Sequence, residues 1–171
     1  MIFITVGTQL PFDRLISAVD QWAAHSGETG LFAQIGQSAL QPRHVRWERF
    51  MQAHEFRACF EAAEVIVAHA GMGTILTALD LAKPLVIVPR RAEFGEHRND
   101  HQLATADQFR GFPTVSVVEQ LDQLGSALTT ARETAVNPAV RSEASPELLE
   151  TIRHFLTFPA DHAQYSPASA Q

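Results

Sequence analysis

Ala68-His69-Ala70-Gly71-Met72-Gly73-Thr74 joins a short β-branched run to a segment of helical period. Glycines at 71 and 73 let the backbone turn tightly and let a ligand approach it. The unpaired amides of a first helical turn attract an anion such as a diphosphate. Thr74 can cap the helix or offer its hydroxyl, and His69 can contact a diphosphate or serve as a structural hydrogen-bonding group. A plain tight turn is the other reading of the two glycines. The spacing is not the dinucleotide fingerprint, whose third glycine would fall at Leu76, and no Gly-Lys-Thr run marks a P-loop.

Two further loops carry polar groups in reach of chemistry. Val6-Gly7-Thr8-Gln9 follows the first apolar run: Gly7 opens space, and Thr8 and Gln9 bring a hydroxyl and an amide. Pro89 to Gln102 is densely polar. Its arginines Arg90, Arg91 and Arg98 have the charge to neutralise a diphosphate, while Asn99, Asp100, His101 and Gln102 are suited to pairing with hydroxyls. His97 and His101 are four apart, which on a helix would put two imidazoles on one face. The glutamate that the metalloprotease pattern places after its first histidine is missing, so no metal is expected. A solvated charged loop running into a helix is the simpler alternative for this stretch. Nucleophilic catalysis is not suggested: there is no Gly-x-Ser-x-Gly elbow, and no Asp-x-Asp pair offers a metal-nucleotide site.

These loops need a scaffold that brings them together. Apolar runs at Ile2 to Val6, Leu31 to Ile35, Val45 to Trp47, Val65 to Ala68, Leu85 to Val88 and Thr114 to Val118 read as strands buried on both faces. Between most of them lie helical stripes: Leu15, Ile16, Val19 and Trp22; Ile75, Leu76 and Leu79; Leu121, Leu124 and Leu128. Alternating strands and helices with right-handed crossovers give a doubly wound parallel sheet, a Rossmann-like α/β fold. Ligands of such sheets bind at the carboxyl ends of the strands, where all three loops fall. A last helix is expected from Ser145-Pro146, with Leu148, Leu149, Ile152, Phe155 and Leu156 on one face. The domain is drawn over residues 1–157, with a mobile tail over 158–171.

Composition narrows the function classes. With 46% hydrophobic residues in 171, a single folded domain is expected, and the net charge of -6 argues against nucleic acid as partner. Cys59, the one cysteine, sits in a helical pattern as a small buried hydrophobe and suits a reducing compartment. No basic leader precedes Ile2 and no run approaches the ~20 apolar residues of a membrane span, so a cytoplasmic location is expected, with membrane contact only peripheral. A dinucleotide oxidoreductase would need a fingerprint and a ribose-binding acid after the first strand, and neither is there.

Val6-Gly7-Thr8, His69-Ala70-Gly71-Met72-Gly73-Thr74, Ala82-Lys83-Pro84-Leu85-Val86-Ile87-Val88-Pro89 and Asn99-Asp100-His101-Gln102 together resemble the C-terminal domain of family 28 glycosyltransferases. The order and spacing extend over about residues 1 to 130. The likeness is to free-standing forms: the donor-binding subunit of the two-part N-acetylglucosaminyltransferase of N-glycan assembly, and bacterial relatives in exopolysaccharide and capsule synthesis. Phe94 to Gln102 looks most like the bacterial branch. The resemblance implies the C-terminal half of a GT-B enzyme and an inverting hexosyltransferase using a UDP-sugar, without cofactor or metal. It also implies a separate membrane-associated subunit that carries the lipid-linked acceptor and supplies the base, His69 being the candidate on this chain. That partner would hold the chain at the inner membrane face. Carried over by position, Thr8 and Gln9 match a phosphate-side loop, Gly71 to Thr74 the diphosphate-binding helix start, Gln102 a sugar-contacting glutamine, and Phe50 with Met51 the uracil pocket. The family's ribose-holding glutamate falls at Thr77. Asp80, three residues on, is placed to compensate. That departure favours an alternative role as a non-catalytic scaffold subunit.

Overall fold

A computed structural model describes residues 1–136. These lie within one compact unit spanning Met1–Arg141. The helix expected from Ser145, the boundary at 157 and the tail lie outside the described residues.

Six parallel strands form one sheet: β1 (Ile2–Thr5), β2 (Leu31–Gln34), β3 (Arg46–Glu48), β4 (Val65–His69), β5 (Leu85–Val88) and β6 (Val115–Val117). Their order is β3-β2-β1-β4-β5-β6, the doubly wound arrangement expected from the sequence. Ile2 pairs with both Leu31 and Val65, so β1 is central, and its carboxyl end lies between those of β2 and β4. The edge strand β3 is polar at two of its three residues and sits one residue later than its apolar run predicts; only the middle residue, Trp47, is partly covered.

Strand alternation divides the core. Ile2, Ile4, Val65, Val67, Val86 and Val88 face one way, onto α1 (Asp13–Ser26) and α5 (Leu124–Val136), through Leu15, Ile16, Val19, Leu124 and Leu128. Phe3 faces the other way, against Phe56 and Phe60 of α2 (Ala53–Ala62), at centroid distances of 5.5 and 5.6 Å. Burying side chains of this size stabilises by about 1.5–3 kcal/mol each, which makes the sheet a rigid floor for the loops above it. Cys59 lies within α2 and is partly buried; burial pushes its thiol pKa up, toward the protonated form. The remaining helices, α3 (Met72–Asp80) and α4 (His101–Phe109), each begin beside the carboxyl end of a strand.

Candidate functional site

The loops after β1, β4 and β5 converge on one cleft of about 750 Å³. Of the residues singled out in the sequence, Gly7, Thr8, Gln9, Met51, His69, Gly71, Gly73, Thr74, Thr77, Arg90, His101 and Gln102 line it. Ala70, Met72, Asn99 and Asp100 do not. Ala70 is buried at 2% exposure. Asp100 turns its carboxylate to the Ala92 amide at 2.8 Å, and Asn99 turns its amide oxygen to His101. Asp80 is exposed and also stays outside the cleft, so no carboxylate replaces the missing glutamate at 77.

The start of α3 is open to the cleft and has no side-chain cap. Gly71 is its N-cap and supplies no side chain, and Ile75 is the first amide bonded back, to the Gly71 carbonyl at 3.0 Å. Among the described residues, the amides of Met72, Gly73 and Thr74 are left without an acceptor. Helix α2 differs: there Glu55 reaches back to accept the Gln52 amide at 2.9 Å. Thr77 donates its hydroxyl to the Gly73 carbonyl at 2.8 Å, which tightens the first turn.

The two glycine loops meet over one imidazole. His69 ends β4, and an ideal Cβ on Gly71 would collide with its Nε2, while one on Gly7 would stand 2.8 Å from its Cε1. Gly7 also adopts a φ of 77°, a left-handed conformation that glycine takes without strain. Gly71 is therefore glycine because of His69. Gly73 differs, for a Cβ there meets nothing within 4 Å. Burial first, and the Arg90 cation second, hold the His69 imidazole down to about 4, so it is neutral near pH 7. Its Nδ1 is buried with no hydrogen-bond partner among the described residues. A base with so low a pKa is a poor match to proton abstraction near neutrality.

The arginines are not where a free diphosphate clamp would put them. Arg90 is 3% exposed, and its guanidinium donates to the carbonyls of Val6, Leu10, Pro11 and Glu96 while packing 4.6 Å over the Phe12 ring. Burial lowers its pKa to about 10, still charged at neutrality. Arg91 pairs with Glu93 and Glu119, and Arg98 is exposed away from the cleft. Arg90 thus ties the loop after β1 to the loop after β5. Arg14 completes the joint, gripping buried Glu96 through two hydrogen bonds of 2.6 and 2.8 Å. Gln102, 4% exposed, accepts the Arg90 backbone N–H at 3.0 Å.

Several lining residues were missed from sequence. Thr5 donates to Gln34 Oε1 at 2.7 Å, and Gln34 in turn donates to the carbonyls of Gly7 and Arg49, fixing the mouth of β1. A polar residue closing an otherwise apolar strand was the available signal at both positions. Phe56, next to exposed Phe50, extends the cleft toward α2. His97 enters it edge-to-face with His101, ring centroids 4.4 Å apart. Among the described residues, no group of three or more His, Cys, Asp or Glu side chains is arranged to hold a metal ion.

Known proteins with the same construction are glycosyltransferases. The UDP-N-acetylglucosamine transferase subunit ALG13 of Homo sapiens is 32% identical over 117 residues, 63% of this chain. Its Cryptococcus neoformans counterpart is 33% identical over 72 residues, 41% of this chain and 35% of its own length. The chain spans about a tenth of the length of the human and mouse relatives it matches. In structure, the solution form of ALG13 superposes with a TM-score of 0.55 at 20% identity, covering 80% of this chain and 87% of the other. The glycotransferase of kitacinnamycin gives 0.62 at 24%, covering 91% and 39%. MurG of Acinetobacter baumannii gives 0.54 at 20%, covering 91% and 49%. The fold is thus that of the C-terminal half of GT-B glycosyltransferases. The model of the glycosyltransferase family 28 C-terminal domain matches residues 1–156. With an open helix start, a glycine-flanked histidine and a cleft at the strand ends all in place, this chain belongs to that family.

Proposed function

We propose that the chain is the donor-binding subunit of an inverting hexosyltransferase that moves a sugar from a UDP-sugar to a lipid-linked acceptor in bacterial polysaccharide synthesis. One observation carries the reading: the uncapped start of α3, with Gly73 leaving open space before its amides, faces the cleft beside neutral His69. A diphosphate there accepts from the Met72, Gly73 and Thr74 amides, while Thr8 and Gln9 close over it. The base lies toward Phe50, Met51 and Phe56, and the sugar toward Gln102.

Transfer proceeds by direct displacement. The acceptor oxygen bonds to the anomeric carbon from the face opposite the diphosphate, and the carbon–oxygen bond to the diphosphate breaks with its electron pair leaving on UDP. Charge growing on that diphosphate is met by the same amides, fixed before the reaction begins. The acceptor's proton goes to a base on a separate, membrane-associated subunit, since His69 is too weak a base. No helix among the described residues is long and apolar enough to cross a membrane. Attachment to the cytoplasmic membrane face therefore runs through that partner in this proposal. Calorimetric titration of UDP into the full chain tests the reading: saturable binding that Gly73→Asp abolishes is expected. Binding that survives a carboxylate in the cradle would sink it.

Thr77 favours a second reading. With its hydroxyl donated to the Gly73 carbonyl and no acid in the cleft, ribose lacks its usual carboxylate partner, as in a scaffold subunit that binds nucleotide weakly. Transfer activity retained by the complex of Gly73→Asp with its partner would favour that role.

A further inference from the structure

We propose, resting on the donor-binding reading above, that Gln34 is a positioning residue: it fixes the gap between the phosphate-side loop at Gly7 and the base-side loop at Arg49 to Met51, so that the two ends of the nucleotide bind as one unit.

The sheet leaves this task to the end of β2. Strands β1 and β3 carry the two loops but are not neighbours, because β2 lies between them. Gln34 is the last residue of β2 and pairs in register with Thr5 on one side and Glu48 on the other. Its side chain, 3% exposed, reaches past both neighbours: Nε2 donates to the Gly7 carbonyl at 3.1 Å and to the Arg49 carbonyl at 2.9 Å, and Oε1 accepts from the Thr5 hydroxyl at 2.7 Å. Carbonyls only accept, so the NH₂ group must face the two loops, and both of its hydrogens are spent on them. Gln34 has no donor left for a ligand. A planar amide holding one carbonyl with each hydrogen sets their spacing, and a shift of either loop breaks a buried hydrogen bond or drags the other loop along.

Each loop is also supported on its own. Arg90 donates to the Val6 and Leu10 carbonyls on either side of Gly7 to Gln9. Arg49 donates to the carbonyls of Gly36 and Ser38. Gly36 lets the bridge close, for it takes a φ of 53° and a Cβ there would stand 2.8 Å from the Gly7 carbonyl oxygen. Without the Gln34 amide the two loops remain built and lose their fixed spacing. A ligand confined to one loop then loses little, whereas a ligand that spans both loses its pre-set geometry.

The test is Gln34→Met in the full chain, which keeps the length of the side chain and removes its hydrogen bonds to both loops. UDP, which spans both loops, is titrated by calorimetry; inorganic pyrophosphate, confined to the phosphate side, is titrated by the shift of the Gly73 amide resonance. The variant is expected to bind UDP at least about tenfold more weakly and pyrophosphate within about threefold of the unaltered chain. Equal weakening of the two ligands, as general damage to the fold would give, overturns the inference, and so does unchanged UDP affinity. Where Gln34→Met fails to fold, the unaltered chain decides: pyrophosphate alone should shift the Phe50 and Met51 amides along with that of Gly73. Phe50 and Met51 unmoved, or a Gly73 amide that answers UDP but not pyrophosphate, would overturn the coupling and leave donor binding standing. If UDP itself does not bind the unaltered chain, the donor-binding reading falls with it.

Discussion

Replacing Gly73 by alanine should make the protein more stable and less able to hold a nucleotide. Gly73 is the second residue of α3, and a Cβ there meets no atom within 4 Å, so the methyl costs nothing sterically in the empty cleft. Glycine in a helix is worse than alanine by about 0.5–1 kcal/mol, because it gives up more backbone freedom on folding. For a domain of this size that gain corresponds to a rise of about 1–4 °C in Tm. A phosphoryl oxygen bonded to the Gly73 amide would sit within contact distance of the same methyl. Displacing it should weaken UDP by tenfold or more, about 1.4 kcal/mol. Gly71→Ala supplies the contrast. Its methyl would strike His69 and should destabilise by about 1–3 kcal/mol. Thermal melts and UDP titrations on the two variants read both effects. A Gly73→Ala protein with raised Tm and undiminished UDP affinity would mean the phosphates lie elsewhere, and a lowered Tm would mean the space is not open.

Arg90→Met should cost about 3–5 kcal/mol in urea denaturation, since four buried carbonyls lose their donor together, and Arg90→Lys should still cost about 2 kcal/mol because an ammonium cannot span the fork. A lysine variant as stable as the parent would remove the fork from the account. His69 sets a pH dependence: its folded pKa of about 4 lies below the unfolded 6.5, so the unfolded chain binds the proton first and stability falls as pH drops from about 6.5 toward 4. The slope reaches about 1.4 kcal/mol per pH unit and the total is of order 3 kcal/mol, a component that His69→Asn should lack when the two are unfolded at pH 7 and pH 4.5. Thr77→Glu should raise UDP affinity about tenfold by returning a carboxylate to the ribose side of α3, and unchanged affinity would place the ribose away from that turn.

Strand and helix order was legible because buried parallel strands read as unbroken apolar runs, and all six fall within a residue of their expected ends. The exception in character is β3, an edge strand of three residues whose pairing to β2 through Phe32, Ala33 and Gln34 owes little to its own side chains. The glycine loops were legible for a related reason. A close approach favours losing a Cβ, and at 7 and 71 the approaching group is the histidine that ends β4, whereas at 73 the space is open.

Side-chain roles in the third loop were not legible, and Arg90 and Gln102 show why. Both are polar residues in one polar stretch, and composition treats the arginine as the phosphate clamp. Yet three loop carbonyls at the end of β1 and the Glu96 carbonyl need donors more than a solvated ligand does, and Arg90 is long and forked enough to reach them all. Once it is spent there, its own amide takes the Gln102 oxygen and so decides what Gln102 can offer. In the proposed reading, attraction for an anion then falls to backbone amides at α3, held by a frame in which the cation is structural. A positive site built in this way gives its direction through fixed N–H bonds and its charge through a buried group that the ligand never touches. Surface salt should therefore screen it less than it would an exposed arginine clamp.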